Sequence, residues 1–280
     1  MPLKLSTIVS FPALGEKISL EDDITLLGSC FVDNISSKLQ DAGFKVHANP
    51  FGTLYNPASI AKAIRILDSE CLFEEKDCIK MGAGAEKYCS FAHHTGFARA
   101  TKEEFLENAN AALAKAREDW HKSKWVIITL GTAFVWTHGG EIVSNCLKRP
   151  GTEFEHFMLP LPEIEKYLKG IIENHKEKKI IFTVSPIRHL GEGAHSNTLS
   201  KSLLHLGINA IGADYFPAYE ILLDQLRDYR FYADDLVHPS ALAIEVIWQS
   251  FTEYALREDE KDRIEQNERT SRASKHVRRT

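Results

Sequence analysis

The chain has 280 residues, enough for one large domain that buries roughly three-quarters of its unfolded surface without disulfide or metal staples. Hydrophobic residues make up 44% and charged residues 26%, which excludes a disordered chain, a fibre and a disulfide scaffold. The net charge of −5 gives no general argument for nucleic-acid binding, and no apolar run approaches the roughly 18 residues that cross a bilayer.

The N-terminal stretch MPLKLSTIVSFPALGE has no sustained apolar core, so the expectation is a cytoplasmic chain without a secretory signal and without a membrane partner. The run ITLL at 24–27 reads as a buried strand broken by Gly28. Phe31, Ile35 and Leu39 then mark one face of a helix that ends near Gly43. Asn56-Pro57 reads as an N-cap followed by proline at the first helical position, with Ile60, Ile64 and Leu67 on the buried face. Residues 71–100 lack clear periodicity and read as an inserted loop or small hairpin layer. Thr101 and Glu104 fit a capping box ahead of the stripe Phe105, Ala109, Leu113, Ala116 and Trp120.

WVIITL at 125–130 and IIFTV at 180–184 are nearly continuous apolar strands, the pattern of a parallel sheet covered on both faces. An amphipathic helix spans 163–176, a polar loop 185–197, and further helices 219–227 and 242–256. From 258 the chain is highly charged. The last twelve residues contribute +5 (Arg269, Arg272, Lys275, Arg278, Arg279), so the body carries −10. This end reads as a frayed, solvated tail, 258–280, after a single domain over 1–257. Strand–helix alternation predicts an α/β fold, a three-layer sandwich with a mainly parallel sheet, and places ligands where strands end and helices begin.

Chemistry-bearing residues cluster at those ends. Cys30 follows Gly28-Ser29 at a strand-to-helix turn, where unpaired N–H groups and the helix dipole lower a thiol pKa; Ser29 is an alternative nucleophile or an N-cap. Asp235 and His238 are three apart before a helix, which suits a carboxylate that orients an imidazole for a nucleophile. The bland reading of each pair taken singly is a turn and a cap. Arg188 and His189 end the third strand as candidate anion binders, or as loop residues. The adjacent His93 and His94 would point to opposite faces of a strand, so substrate contact by His94 is favoured over metal. The five cysteines (30, 71, 78, 89 and 146) form no CxxC pair, and no metal or other cofactor is expected.

Taken together, the blocks GSCF (28–31), NPFGTLYNP (49–57), ITLGTAFVW (128–136), SNCLK (144–148), TVSPIRHL (183–190), YFPAYEILLDQLRDYRFY (215–232) and DDLVHPSA (234–241) resemble the GSCFA-domain family. Val32 stands where that family has Ala, and Leu147 where a His is frequent. The family is similar to the SGNH (GDSL-like) hydrolases, which implies a flavodoxin-like α/β/α sandwich. The resemblance puts Cys30 at the nucleophile position, with Asp235 and His238 in the final block. It puts Gly52 in the second block as a backbone donor, and Gly131-Thr132-Ala133 on the third, where Ala133 replaces the Asn that would donate to an oxyanion. Asn145 is a candidate substitute for that Asn, or else a turn residue. The resemblance implies an ester hydrolase or acyltransferase acting on a small-molecule or carbohydrate ester, with a Cys or Ser nucleophile. The alternatives are a non-catalytic ligand- or carbohydrate-binding module on the same scaffold and, more weakly, a thiol redox protein pairing Cys30 with Cys146.

Overall fold

The structure is a computed structural model that describes residues 7–82 and 84–277. Ten strands and eight helices are described. The strands are β1 (Asp23–Gly28), β2 (Lys45–Ala48), β3 (Ile79–Lys80), β4 (Tyr88–Cys89), β5 (Trp125–Leu130), β6 (Phe134–His138), β7 (Glu141–Val143), β8 (Glu155–Met158), β9 (Lys179–Val184) and β10 (Asp214–Tyr215). The helices are α1 (Phe31–Asp41), α2 (Pro57–Asp68), α3 (Lys102–Lys122), α4 (Leu161–Asn174), α5 (Ala194–Ala210), α6 (Ala218–Glu220), α7 (Ala241–Ala255) and α8 (Lys261–Val277).

Five strands form one parallel sheet in the order β10-β9-β5-β1-β2. Numbered within the sheet alone, that order is the doubly wound 2-1-3-4-5, whose switch point lies between β1 and β5. Period-2 alternation explains why β5 is apolar throughout. Trp125 and Ile127 face a core built with α1, α7 and α8, while Val126, Ile128 and Leu130 face a second core built with α2, α3, α4 and α5. The strand at 125–130 is as the sequence predicts, and the caps hold: Asn56 Oδ1 accepts the Ser59 N–H at 2.8 Å, and Thr101 Oγ1 accepts the Glu104 N–H at 3.1 Å. The irregular stretch 71–100 contains the β3–β4 hairpin and short 3-10 turns over a small third core around Cys89, Phe105 and Leu147.

Three features differ from the sequence reading. The predicted helix at 219–227 is the short α6 followed by a π-helical turn, Ile221–Leu226, closed by Arg227 in the left-handed region. The stretch after the 185–197 loop holds the long helix α5, and an antiparallel sheet β7-β6-β8 extends the chain beyond β5. The end expected to fray is helical to Val277. Ile264 is buried in the first core, Asn267 Nδ2 donates to the Ala42 carbonyl at 2.9 Å, and Trp248 Nε1 donates to Glu268 at 2.9 Å. Ser271 and Lys275 both bond Asp41, at 2.7 and 2.6 Å. These fixed contacts at the end of α1 hold a segment that composition alone reads as solvated. Arg278 and Arg279 lie outside the described residues, as do residues 1–6. Among the described residues no helix is long and apolar enough to cross a membrane.

The tightest point is Gly28, which leaves β1 at φ 145°, where a β-carbon would sit 2.2 Å from the Thr129 carbonyl oxygen. Gly28→Ala is expected to lower the unfolding free energy by about 3 kcal/mol, because strain and backbone overlap cannot both be relieved. Chemical denaturation of the two proteins, compared at equal m-value, measures it.

Candidate active site

The β1–α1 turn is held by hydrogen bonds from its backbone to three neighbours. The Gly28 N–H donates to Asn49 Oδ1 at 2.9 Å, its carbonyl accepts the Leu54 N–H at 2.9 Å, and the Ser29 N–H donates to the Thr129 carbonyl at 3.3 Å. Ser29 is completely buried, with Oγ 3.4 Å from the Phe31 N–H it accepts. Cys30 is half-buried and stands immediately before α1. Among the described residues no acceptor takes its N–H.

Asp235, Leu236, Val237 and His238 form a tight turn, with Leu236 at φ 57°. Asp235 Oδ1 accepts the Val237 and His238 N–H groups, both at 2.9 Å, and Oδ2 lies 2.6 Å from His238 Nδ1. Three donors converging on one carboxylate hold Asp235 far below the usual carboxylate range, at about 2; the two backbone N–H groups are the larger cause. An ionised carboxylate only accepts, so Nδ1 carries the proton and Nε2 is left as an acceptor in the neutral ring. His238 Nε2 lies 3.6 Å from Cys30 Sγ. Asp235, His238 and Cys30 therefore stand in line at the end of β1, beside the switch point.

Burial pushes the Cys30 thiol up. The N–H groups of Cys30 and Phe31 and the cation of Lys201 pull the other way, and Asp33 adds to the rise. This corrects the expectation of a thiol acidified by the helix terminus: desolvation outweighs the terminus. The raised pKa favours the thiol form of Cys30, whose sulfur lies 3.6 Å from His238 Nε2.

Arg188, a candidate anion binder by sequence, serves instead as a brace for the His238 turn. Its N–H donates to the Val237 carbonyl at 3.3 Å, Nη1 donates to the Leu236 carbonyl at 3.2 Å, and the guanidinium lies over the Tyr232 ring. The backbone donors proposed for an oxyanion are engaged elsewhere. Gly52 N–H donates to the Asn49 carbonyl at 2.7 Å, and the N–H groups of Gly131 and Thr132 both donate to the Tyr55 carbonyl, at 2.7 and 2.9 Å. The Thr132 hydroxyl is 3.0 Å from Ser200 Oγ and accepts the Phe134 N–H. Asn145 Oδ1 accepts the Leu147 N–H at 2.8 Å, the bond of a turn residue, ahead of left-handed Leu147 and Lys148.

His94 is exposed and caps a 3-10 turn by accepting the Gly96 N–H; its Cβ fills the space beside Gly52, where a β-carbon would come within 2.3 Å. His93 is a core residue, ringed by Phe51, Phe73, Phe97 and Phe105, bonded to Ser90 Oγ at 2.7 Å, and pushed down to about 4 by burial. Among the described residues no group of three or more His, Cys, Asp or Glu is arranged to hold a metal ion. All five cysteines are unpaired, and the polar partner of Cys30 is His238.

Several residues outside the predicted site set also shape this region. Asn49 holds the β1–α1 turn from a left-handed conformation, φ 45°. Tyr55 joins the ends of β1 and β5. Its ring meets His189 edge to face, and His189 Nε2 is buried without a partner. Ser200 accepts the Ala133 N–H at 2.7 Å, and Lys201, only 1% exposed, donates to the carbonyls of Gly131 and Ser185, both at 2.7 Å.

The GSCFA family model matches residues 23–251, which takes in Cys30, Asp235 and His238. The chain belongs to the GSCFA family. Comparison with curated protein sequences returns no match. Among solved structures, this GSCFA chain is similar to the psychrotrophic esterase EstA from Pseudoalteromonas sp., inhibited by monoethylphosphonate, with a TM-score of 0.40 and 12% identity over 83% of this chain and 96% of that one. It is similar at a TM-score of 0.40 and 11% identity to "a putative platelet activating factor" from Streptococcus pneumonia, over 84% of each chain.

The Asp235 geometry makes a direct prediction. Its depressed pKa means the turn keeps its acceptor as pH falls through the ordinary carboxylate range near 4 and loses it only near 2. In an NMR titration, the Val237 and His238 amide resonances are expected to shift with a midpoint of about 2, and a midpoint near 4 would contradict the three-donor turn.

Proposed function

We propose that this protein is an acyl-transferring enzyme in which Cys30 is the nucleophile, His238 the general base and acid, and Asp235 the residue that orients His238. The observation that carries the reading is the line from Asp235 Oδ2 through the His238 ring to Cys30 Sγ, at 2.6 and 3.6 Å. Burial of Ser29 supports Cys30 as the attacking group, since the Ser29 hydroxyl is sealed beneath the turn.

In the first half-reaction His238 Nε2 takes the Cys30 thiol proton as sulfur bonds to the ester carbonyl carbon. The tetrahedral oxyanion draws on the unengaged Cys30 N–H. Collapse breaks the carbon–oxygen bond; the alcohol leaves with the proton from His238, and the acyl group stays on Cys30 as a thioester. In the second half-reaction His238 deprotonates water or an acceptor hydroxyl, which attacks the thioester and regenerates the thiol. A thioester suits transfer to a hydroxyl as well as hydrolysis. The substrate class in this reading is an oxygen ester, with O-acylated carbohydrate following from the family resemblance.

A binding module is the second reading. What favours it is that Ala133 has no side-chain donor and that the N–H groups of Gly52, Gly131 and Thr132 are already bonded within the protein.

Intact-mass spectrometry after incubation with p-nitrophenyl acetate separates the two. Wild type is expected to gain one acetyl group, mapped to Cys30 by peptide analysis. Cys30→Ala should abolish that adduct, His238→Ala should slow its formation about 100-fold or more, and Ser29→Ala should retain it. Absence of any Cys30 adduct in wild type would favour the binding module, and loss with Ser29→Ala alone would move the nucleophile to Ser29.

A further inference from the structure

Lys201 is the residue that a reading confined to Cys30, His238 and Asp235 leaves unexplained. It lies in α5 with 1% of its surface exposed, and its Nζ is 2.7 Å from both the Gly131 and Ser185 carbonyls. Those carbonyls close β5 and β9, so the amine sits under the C-terminal ends of β5, the neighbour of β1, and of β9, one strand further out. Among the described residues no Asp or Glu lies within ion-pair distance of it. A buried lysine is normally retained with a carboxylate partner, because an unpaired charge in the interior is costly.

The titratable groups around Lys201 come from four elements. Cys30 precedes α1, His189 follows β9, His205 is one turn further along α5, and Tyr219 in α6 presents its ring 5.9 Å from Nζ. Burial depresses His189 and His205 and raises Tyr219, so none of these supplies an anion near neutral pH. Cys30 does, once it loses its proton. Cys30 in turn is faced by Lys201, by Asp33 in the first turn of α1, by the Tyr55 phenol and by His238.

We infer that Lys201 is the countercharge of the nucleophile: an ammonium sealed under the ends of β5 and β9 that favours the Cys30 thiolate and the anionic adduct formed on it. Lys201 is thus a positioning residue that acts through Cys30. The inference rests on the reading of Cys30 as nucleophile. It accounts for a buried amine at the block where a side-chain donor is missing. Burial holds Lys201 down to about 7 even against the raising influence of Cys30, so the charge on each group bears on the ionisation of the other.

The test is the pH dependence of Cys30 alkylation by iodoacetamide, read on the Cys30 peptide by mass spectrometry, which needs no ester substrate. Lys201→Met is expected to raise the alkylation midpoint by about one pH unit, a rate about tenfold lower at pH 7 with the same plateau at high pH. Lys201→Arg should restore most of the wild-type midpoint. Ser200→Ala, which removes the bond to the Ala133 N–H without changing charge, should leave the midpoint in place.

A folded Lys201→Met protein with the wild-type midpoint overturns the inference, as does an equal shift in Ser200→Ala. Should Lys201→Met fail to fold, the reciprocal measurement decides: in protein labelled with 13C-lysine, Cys30→Ser is expected to lower the Lys201 titration midpoint, and an unchanged midpoint overturns the coupling. An alkylation shift without an acetyl adduct would keep the coupling and remove the catalytic reading. An adduct with no alkylation shift would do the reverse.

Discussion

The close approach of Gly28 to Thr129 governs the site. β1 and β5 are neighbours at the switch point, and the backbone turns out of β1 directly over the Thr129 carbonyl with no room for a β-carbon. That turn sends Ser29 inward and leaves Cys30 at the head of α1 facing His238. Asn49 and Leu54 grip the same glycine from the loop after β2, and Tyr55, one residue further, grips the N–H groups of Gly131 and Thr132 at the end of β5. The second and third blocks are therefore structural clamps on the first. This explains why their backbone donors are already engaged. Side chains set within a rigid frame of this kind hold their geometry better than side chains on free loops.

The electrostatics derive from burial. A thiol at a helix terminus is often acidified, but here desolvation and Asp33 outweigh the local N–H groups. In the catalytic reading, a thiol kept protonated needs a base at the moment of attack, and the Asp235 turn places His238 where it could serve as one. The carboxylate is so well bonded that it stays ionised until the pH falls to about 2, and so it fixes the His238 ring with Nε2 toward sulfur. The Asp235 side chain is half exposed, so solvent screening limits its contribution to stability while its geometric role is unaffected.

Much of this was legible in the sequence. β5 was evident because a strand buried on both faces is apolar at every position, and the Asn56 and Thr101 caps because their chemistry is local. The GSCF and DxxH blocks announced Cys30, Asp235 and His238 because a strand–helix junction and a short turn are encoded over a few residues. α5 was not legible. Its sequence has leucines facing both core and solvent, with Leu199 and Leu206 exposed and Leu204 buried, and a lysine on the buried face, so no apolar stripe emerges. α8 was not legible either, since its place depends on Asp41, Ala42 and Trp248 more than on its own apolar residues. The Arg188 brace and the use of Gly52, Gly131 and Thr132 as clamps depend on partners far away in sequence, which spacing cannot supply.

The absence of an Asn at position 133 looks, from sequence alone, like erosion of a catalytic block. The surroundings argue otherwise. Ala133 is fully buried and its N–H is held by Ser200, so the position has become part of the packing between β5 and α5. The next residue of α5, Lys201, reaches under the same loop and binds the Gly131 carbonyl. In the reading that makes Cys30 the nucleophile, this buried amine stands in for a side-chain amide donor, and its influence does not require contact, because charge acts over longer range in a medium that excludes water. Such a substitution suits sulfur better than oxygen. On that reading a nearby cation eases the proton transfer from Cys30 to His238 that gives the thiolate, whereas a serine alkoxide barely forms ahead of the carbonyl.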